Sequence, residues 1–471
     1  MRPFVRMAIV SLTIALTSLS CVAVAHAFPG QHLWHDWVYT SGVYEDEEAV
    51  AVTIAPGGYP VIVGTAVTSA GGDRDIRFRS YEAGTSFDRW KGQAVPWDGA
   101  GGDDTAAGVV VDKNGDVYVA GTTATAGGSS DIVVLKVLGA DTGALFGGTV
   151  LWPYQYNAKA NRLDEAEAIA RDAGGNVYVT GGSQRADGSW DMVTIKIRPN
   201  GTRAWVKRHN NGGTRFDRGL AIAVRGNNVY VAGISRRTGH ADDVVLIKYG
   251  TGGARKWVRY YDDSLHRSEG VSGIACTSSA VYVCGAGKFT SVKPGQAMLL
   301  KYDSYGKRRW VRFAGTAGGD DAWADVVVDN KARAHVVGTF FHAATADDIS
   351  TRVYSPGGKR LWYAFFTSAG SRVDTGAALA VDSSRRTYVC GRIENAGGDA
   401  DMVVLSYPAA GGSVTWYSRY PDPAYVGETN WGDDWANDMA LVGGAAYVVG
   451  ASTVEHVGTT TLDFQTVKIE R

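Results

Sequence analysis

Gly175-Asn176-Val177-Tyr178-Val179-Thr180-Gly181 is followed by Asp191-Met192-Val193-Thr194-Ile195-Lys196 and then by Pro199-Asn200-Gly201-Thr202-Arg203-Ala204-Trp205. β-Branched and aromatic residues fill the first two stretches, and Asn200-Gly201 tolerates the positive φ of a tight hairpin. Strands are therefore predicted over Ala166 to Arg171, Asn176 to Thr180, Asp191 to Arg198 and Arg203 to His209. One such unit cannot bury its own apolar faces, so it must pack against copies of itself.

The copies are present. Tryptophan recurs at Trp37, Trp90, Trp152, Trp205, Trp257, Trp310, Trp362 and Trp416, and an acidic residue follows each one, at Glu47, Asp104, Asp164, Asp217, Glu269, Asp321, Asp374 and Asp434. A strand ending in glycine marks each repeat at Gly64, Gly121, Gly181, Gly233, Gly285, Gly338, Gly391 and Gly450, spaced about 52 to 60 residues apart. Four strands fit each interval. The expectation is an all-β ring of eight four-stranded sheets in a single domain, residues 28–471, after a signal peptide at residues 1–27. The last repeat holds three strands, and Trp34-His35-Asp36-Trp37-Val38-Tyr39 reads as a fourth strand with no predecessors. That N-terminal strand is expected to complete the final sheet and remove two exposed edges.

The signal reading rests on Arg2 and Arg6, the apolar run from Met7 to Leu19, and Ala25-His26-Ala27 as a cleavage site. It implies a chain that is secreted or held at the cell surface. With 47 basic and 48 acidic side chains there is no electrostatic footprint for nucleic acid, and no later apolar run could span a membrane as a helix. Once Cys21 is removed, three cysteines remain. Cys276 should lie opposite Val281 on a hairpin, which puts Cys284 on the other face and excludes a disulfide between them.

The quoted stretches resemble the bacterial β-propeller repeats called SBBP repeats, and the resemblance extends over nearly all of the mature chain. It implies an exported propeller, often a surface or adhesion-type module, and carries no catalytic residues. The family name suggests seven blades, whereas eight are counted here.

The repeated tryptophans are read as packing between blades. The repeated carboxylates start each innermost strand and should circle one mouth of a central channel, relieved by Arg162, Arg215, Arg267 and Arg372, each two residues earlier, and by backbone N–H groups. No cofactor is required, with a channel-bound calcium ion as the alternative for that ring. Four residues after the repeated acid, most blades carry Ala or Gly, but blades 6 and 8 carry Asp325 and Asp438.

Loops joining strands two to three and blade to blade are long and varied, as in Ser183 to Trp190, Ser235 to Asp242, Ala286 to Gln296, Pro421 to Asp433 and Ser452 to Thr461. That rim is expected to bind an extracellular protein or glycan. Trp323, Asp325, Trp431, Asp433 and Trp435 are the candidate ligand-binding residues, since an indole face beside a carboxylate suits a sugar or peptide. The chain is expected to be monomeric and to carry no assembled catalytic group. Ala140-Asp141-Thr142-Gly143-Ala144-Leu145 resembles one tryptophan-docking repeat of the quinone-dependent dehydrogenases, so such a dehydrogenase, or a polysaccharide-acting enzyme, is the alternative reading.

Overall fold

A computed structural model describes residues 32–37 and 47–470, apart from 68–71, 83–88, 91–95, 100, 126, 141–146, 159–161, 213–215, 237–240, 264–267, 288–294, 317, 369–371, 396–397, 421–430 and 457–458. It is an all-β, eight-bladed propeller whose blades are mostly four-stranded antiparallel sheets. The third blade runs Asp164–Arg171, Val177–Gln184, Trp190–Ile197 and Arg203–His209. Among the described residues, no helix is long and apolar enough to cross a membrane.

The first strands of the blades stand side by side around the axis. They are Glu47–Ala55, Asp104–Val111, Asp164–Arg171, Asp217–Arg225, Glu269–Cys276, Ala322–Val328, Thr375–Val381 and Trp431–Val442, and each touches the next. The circle closes where Trp431–Val442 meets Glu47–Ala55. There Asn437 Nδ2 donates to Glu48 Oε1 at 2.8 Å and to the Ala49 carbonyl at 2.9 Å. His32–Trp37 runs antiparallel to Thr459–Glu470, with Trp37 opposite Gln465.

Each first strand carries a β-bulge at the same place, and opposite it lies the repeat glycine: Ala166 pairs with Gly181 and Ala168 with Thr180, which leaves Glu167 over. The extra residue brings the bulged backbone onto the second strand. A Cβ on Gly181 would sit 1.9 Å from the Glu165 carbonyl, and one on Gly450 1.8 Å from the Trp435 carbonyl. The second strand runs on past this glycine, as Val177–Gln184 does past Gly181, so the residue marks the bulge contact, where no side chain fits, and not the strand's end.

Bulge residues also reach the neighbouring blade. Ser272 Oγ donates to the Trp323 carbonyl at 2.7 Å, and the Glu167 carboxylate accepts from Arg218 Nε at 2.5 Å.

The repeated tryptophans pack between blades. Trp152, Trp205, Trp257 and Trp310 donate from Nε1 to the carbonyls of Pro199, Thr251, Ser304 and Pro356, all in the last hairpin turn of the following blade, at 3.1–3.2 Å. The same carbonyls of Thr251, Ser304 and Pro356 accept from Lys196, Lys248 and Lys301 at 2.6–2.9 Å. Glycine at positive φ closes each turn under the indole, as Gly201 does against Trp152. Between the sheets lie buried Val, Ile, Leu and Tyr side chains, such as the core of Tyr178, Ile222, Val229 and Ile247.

Three expectations need correction. Among the described residues the first blade has three strands, Glu47–Ala55, Tyr59–Val67 and Arg74–Ser80, and its outer edge is met by a bridge between Ile76 and Trp97. Trp90 sits in a turn instead of a strand, because Arg89 N bonds back to the Ser80 carbonyl at 2.7 Å. It still packs edge-on to Phe78 and donates to the Gly139 carbonyl of the next blade at 3.3 Å. Finally, Ser452 to Thr461 is not a loop, since Ala445–His456 and Thr459–Glu470 continue as paired strands through most of it. Its β-branched threonines favour the extended backbone. Cys276 pairs with Val281 as expected, and Cys276, Cys284 and Cys390 are free thiols.

Candidate functional site

The repeated carboxylates belong to the rim opposite the tryptophans, and every one of them is at most 3 % exposed. They do not line an open channel mouth. Asp104, Asp164, Asp217, Glu269, Asp321 and Asp374 each close the loop that leads into their own strand. Asp104 accepts from Gly99 N at 2.6 Å, Asp164 from Ala158 N at 2.7 Å, and Asp321 from Thr316 N at 2.6 Å. The other oxygen often turns to the second strand, as where Ser235 Oγ donates to Asp217 or Phe341 N to Asp321 at 2.9 Å.

Burial raises the pKa of Asp104, Asp164, Asp217, Asp321 and Asp374, and these donors pull the other way. Asp434 is raised well above the ordinary range by burial.

Of the expected arginine partners, Arg372 pairs with Glu394 at 3.2 Å and Arg162 Nη2 donates to the Ala186 carbonyl at 3.5 Å, while Arg215 and Arg267 fall outside the described residues. Backbone N–H groups of the entering loop, the other expected donors, are fixed by the turn and bond the carboxylates.

A second set of carboxylates, at the start of the third strands, was not singled out from the sequence. Asp75, Asp131, Asp191, Asp243, Asp348 and Asp401 are buried. Strand register explains why: Ser183 lies opposite Asp164 on one side and Asp191 on the other, and Ser235 likewise joins Asp217 and Asp243. Across the seams, the third-strand acid of one blade also acts on the first-strand acid of the next: Asp131 feels the charge of Asp164, and Asp217 that of Asp191. The recurring acid before an apolar run, as in Asp191-Met192-Val193 and Asp243-Val244-Val245, was the available signal.

On this rim blade 3, with the loops that enter and leave it, opens into a cavity of about 440 Å³ lined by Gln184, Arg185, Asp191, Arg208 and Asn210, with Ala158 and Ala186. Asp191 is held by Arg208 Nε at 3.0 Å and Asn210 Nδ2 at 2.6 Å. Beside it Trp190 packs on Phe216 and lies under the Arg218 guanidinium.

Of the five candidate ligand residues, Trp323 and Asp325 stand on blade 6 and Asp433 and Trp435 on blade 8, in unlike surroundings. Trp323 is 1 % exposed, packed on Phe340 at 4.7 Å under the Arg352 guanidinium, so its ring has no face for a ligand. The bulge directly after it directs it into the core. Asp325 and Asp438 sit partly exposed along the inner strands, and each bonds the next blade: Leu379 N donates to Asp325 at 3.2 Å and Val52 N to Asp438 at 2.9 Å. Surrounding protein raises the Asp325 pKa and lifts Asp438 to about 7 despite those donors.

Asp433 keeps 43 % of its side chain exposed while meeting Arg392 at 3.3 Å and Ala400 N at 2.9 Å. Trp435 is half-buried, and the side chain of Trp431 lies outside the described residues. So does the segment 141–146, which includes most of the tryptophan-docking resemblance.

No curated protein matches the chain. Among solved structures, it is similar to the β-propeller domain of the Trilobed protease from Pyrococcus furiosus, with 10 % identity over 82 % of this chain and 100 % of that one and a TM-score of 0.46. A polysaccharide lyase of family PL25, an ulvan lyase, gives 11 % identity over 75 % and 90 % with a TM-score of 0.44. The periplasmic gluconolactonase of Pseudomonas aeruginosa gives 11 % over 72 % and 92 % with 0.38. Likenesses at this level carry no inference about what this chain binds. The SBBP family, described as a β-propeller repeat, matches residues 93–126, and the chain thus carries a repeat of that family within an eight-bladed propeller.

Proposed function

We propose that this chain is an exported, non-catalytic binding module that presents its varied rim to an extracellular glycan or protein. The observation that carries the reading is the cavity on the rim of blade 3, where Arg185 and Arg208 line an opening built from three loops. Two guanidinium groups beside a carboxylate suit a partner with acidic and hydroxyl groups, such as an acidic sugar chain or an acidic peptide segment. Asp433 and Trp435 are a second polar and aromatic patch on the same rim. Export follows from the sequence of residues 1–27, and His32–Trp37 acts as the latch of the ring, a role supported by its register with Thr459–Glu470.

An array of glycans and extracellular proteins probed with the mature chain tests the binding reading. Arg185→Ala should weaken the strongest interaction about tenfold, the size of one lost charge-assisted contact. Binding that is absent for the parent chain, or identical for the variant, refutes it.

A further inference from the structure

We propose that the outer strand of blade 6, Arg360–Phe366, is an association surface on which a second copy of this chain pairs the same strand in antiparallel register. An outermost strand leaves one row of backbone N–H and C=O groups without a strand partner, and proteins block such edges with charges or proline. Blade 2 carries Pro153 there, and blades 3, 4, 5 and 7 carry Lys207, Arg259, Arg312 and Arg419. From Leu361 to Phe366, blade 6 has neither a charge nor a proline. Pairing there makes a dimer, where the repeats alone led to the expectation of a monomer.

The change is concentrated at two positions. One residue before the strand tryptophan, Lys256 and Arg309 of blades 4 and 5 give way to Leu361; two residues after it, Arg259 and Arg312 give way to Ala364. Arg259 and Arg312 are held at the edge by donating from Nε to the carbonyls of Gly306 and Gly358 at 2.6–2.7 Å, which an alanine cannot do. The apolar side chains of blade 6 instead stand in water, Leu361 being 44 % and Tyr363 49 % exposed. Aromatic neighbours widen the patch: Tyr363 meets Phe365 at 6.0 Å, and Phe366 meets the exposed Tyr417 of blade 7 at 5.6 Å. Exposed apolar groups grouped on an unblocked edge mark an interaction site.

The charges of the blade select a second copy as the occupant. Lys359 and Arg360 stand exposed at one end of the edge, while Asp347 is partly exposed at the other end, two residues before Ile349, which pairs with Phe366. Among the described residues neither Arg360 nor Asp347 has an ion-pair partner, and burial together with Asp348 raises the Asp347 pKa. A two-fold axis through Tyr363 turns the basic end of each copy toward the acidic end of the other and sets Leu361 against Phe365. Each copy uses its edge once, so the assembly closes at two.

Sedimentation velocity and light scattering on the mature chain test the proposal. The mass should pass from one copy to two between about 1 and 100 µM. Leu361→Lys places on this edge the residue that blade 4 carries as Lys256, so it should leave Tm unchanged and raise the dimer dissociation constant at least about tenfold. Leu151→Lys, an exposed position on the outer strand of blade 2 beside Pro153, should dimerise as the parent does. A parent chain that stays a single copy over this range, or a Leu361→Lys variant that dimerises like the parent, overturns the proposal.

Discussion

The two rims of the ring join neighbouring blades by different chemistry. On the rim of short turns, blades 3, 4 and 5 repeat one device, an indole and a lysine ammonium converging on a carbonyl of the next blade. On the opposite rim the invariant part is a buried acid, and its surroundings change from seam to seam: Asn210 and Arg208 at one, Asp262 at the next, Arg419 against Asp401 at another. The difference teaches where variation is tolerated. Neutral indole donors require little of their surroundings, whereas a buried carboxylate demands a donor or a charge and can accept several kinds.

The sharpest break of the comparison is on the uniform rim. Trp205→Ala removes an inter-blade wedge together with its bond to Thr251 and should cost about 3–5 kcal/mol in chemical denaturation. On the varied rim, Asp217→Ala leaves Asn211 N and Ser235 Oγ without their acceptor and should cost about 2 kcal/mol, less than the tryptophan. A reversed order would mean that the acids, and not the indoles, hold the blades together.

A third effect is smaller and has a sign. Asp438 has its folded pKa raised from 3.8 to about 7, so its contribution to stability is fully present below pH 3.8 and is lost as pH rises through about 7. Asp438→Asn keeps an acceptor for Val52 N and should therefore be about 1–2 kcal/mol more stable than the parent above pH 7, with the gap closing toward pH 4. Urea melts across that range read it directly; a gap independent of pH would refute the assignment. At the bottom of the scale, Tyr305→Ala, in an exposed hairpin turn of the uniform rim, should change stability by less than about 0.5 kcal/mol.

Much of the uniform rim was legible in the sequence. Tryptophan, Asn-Gly turns and repeat glycines are local signals, and their reason is local too, since an indole needs a turn to pack on. The glycines were readable as markers but not as consequences of the bulge, because one extra residue in every first strand leaves the repeat length unchanged. The varied rim was less legible. Trp323 next to Asp325 reads as an aromatic beside an acid, yet a bulged residue between them sends one into the core and the other toward the axis. The cavity on the rim of blade 3 unites Ala158 with Asn210 and Gln184, from the loops before, after and within that blade, which meet only once its strands pair.

The central claim is that binding belongs to the varied rim. The most direct measurement compares the parent, Arg185→Ala on that rim and Tyr305→Ala on the other, against the same array of extracellular glycans and proteins. A loss of about tenfold in Arg185→Ala with parent-level binding by Tyr305→Ala is the predicted result. Loss confined to Tyr305→Ala would contradict it.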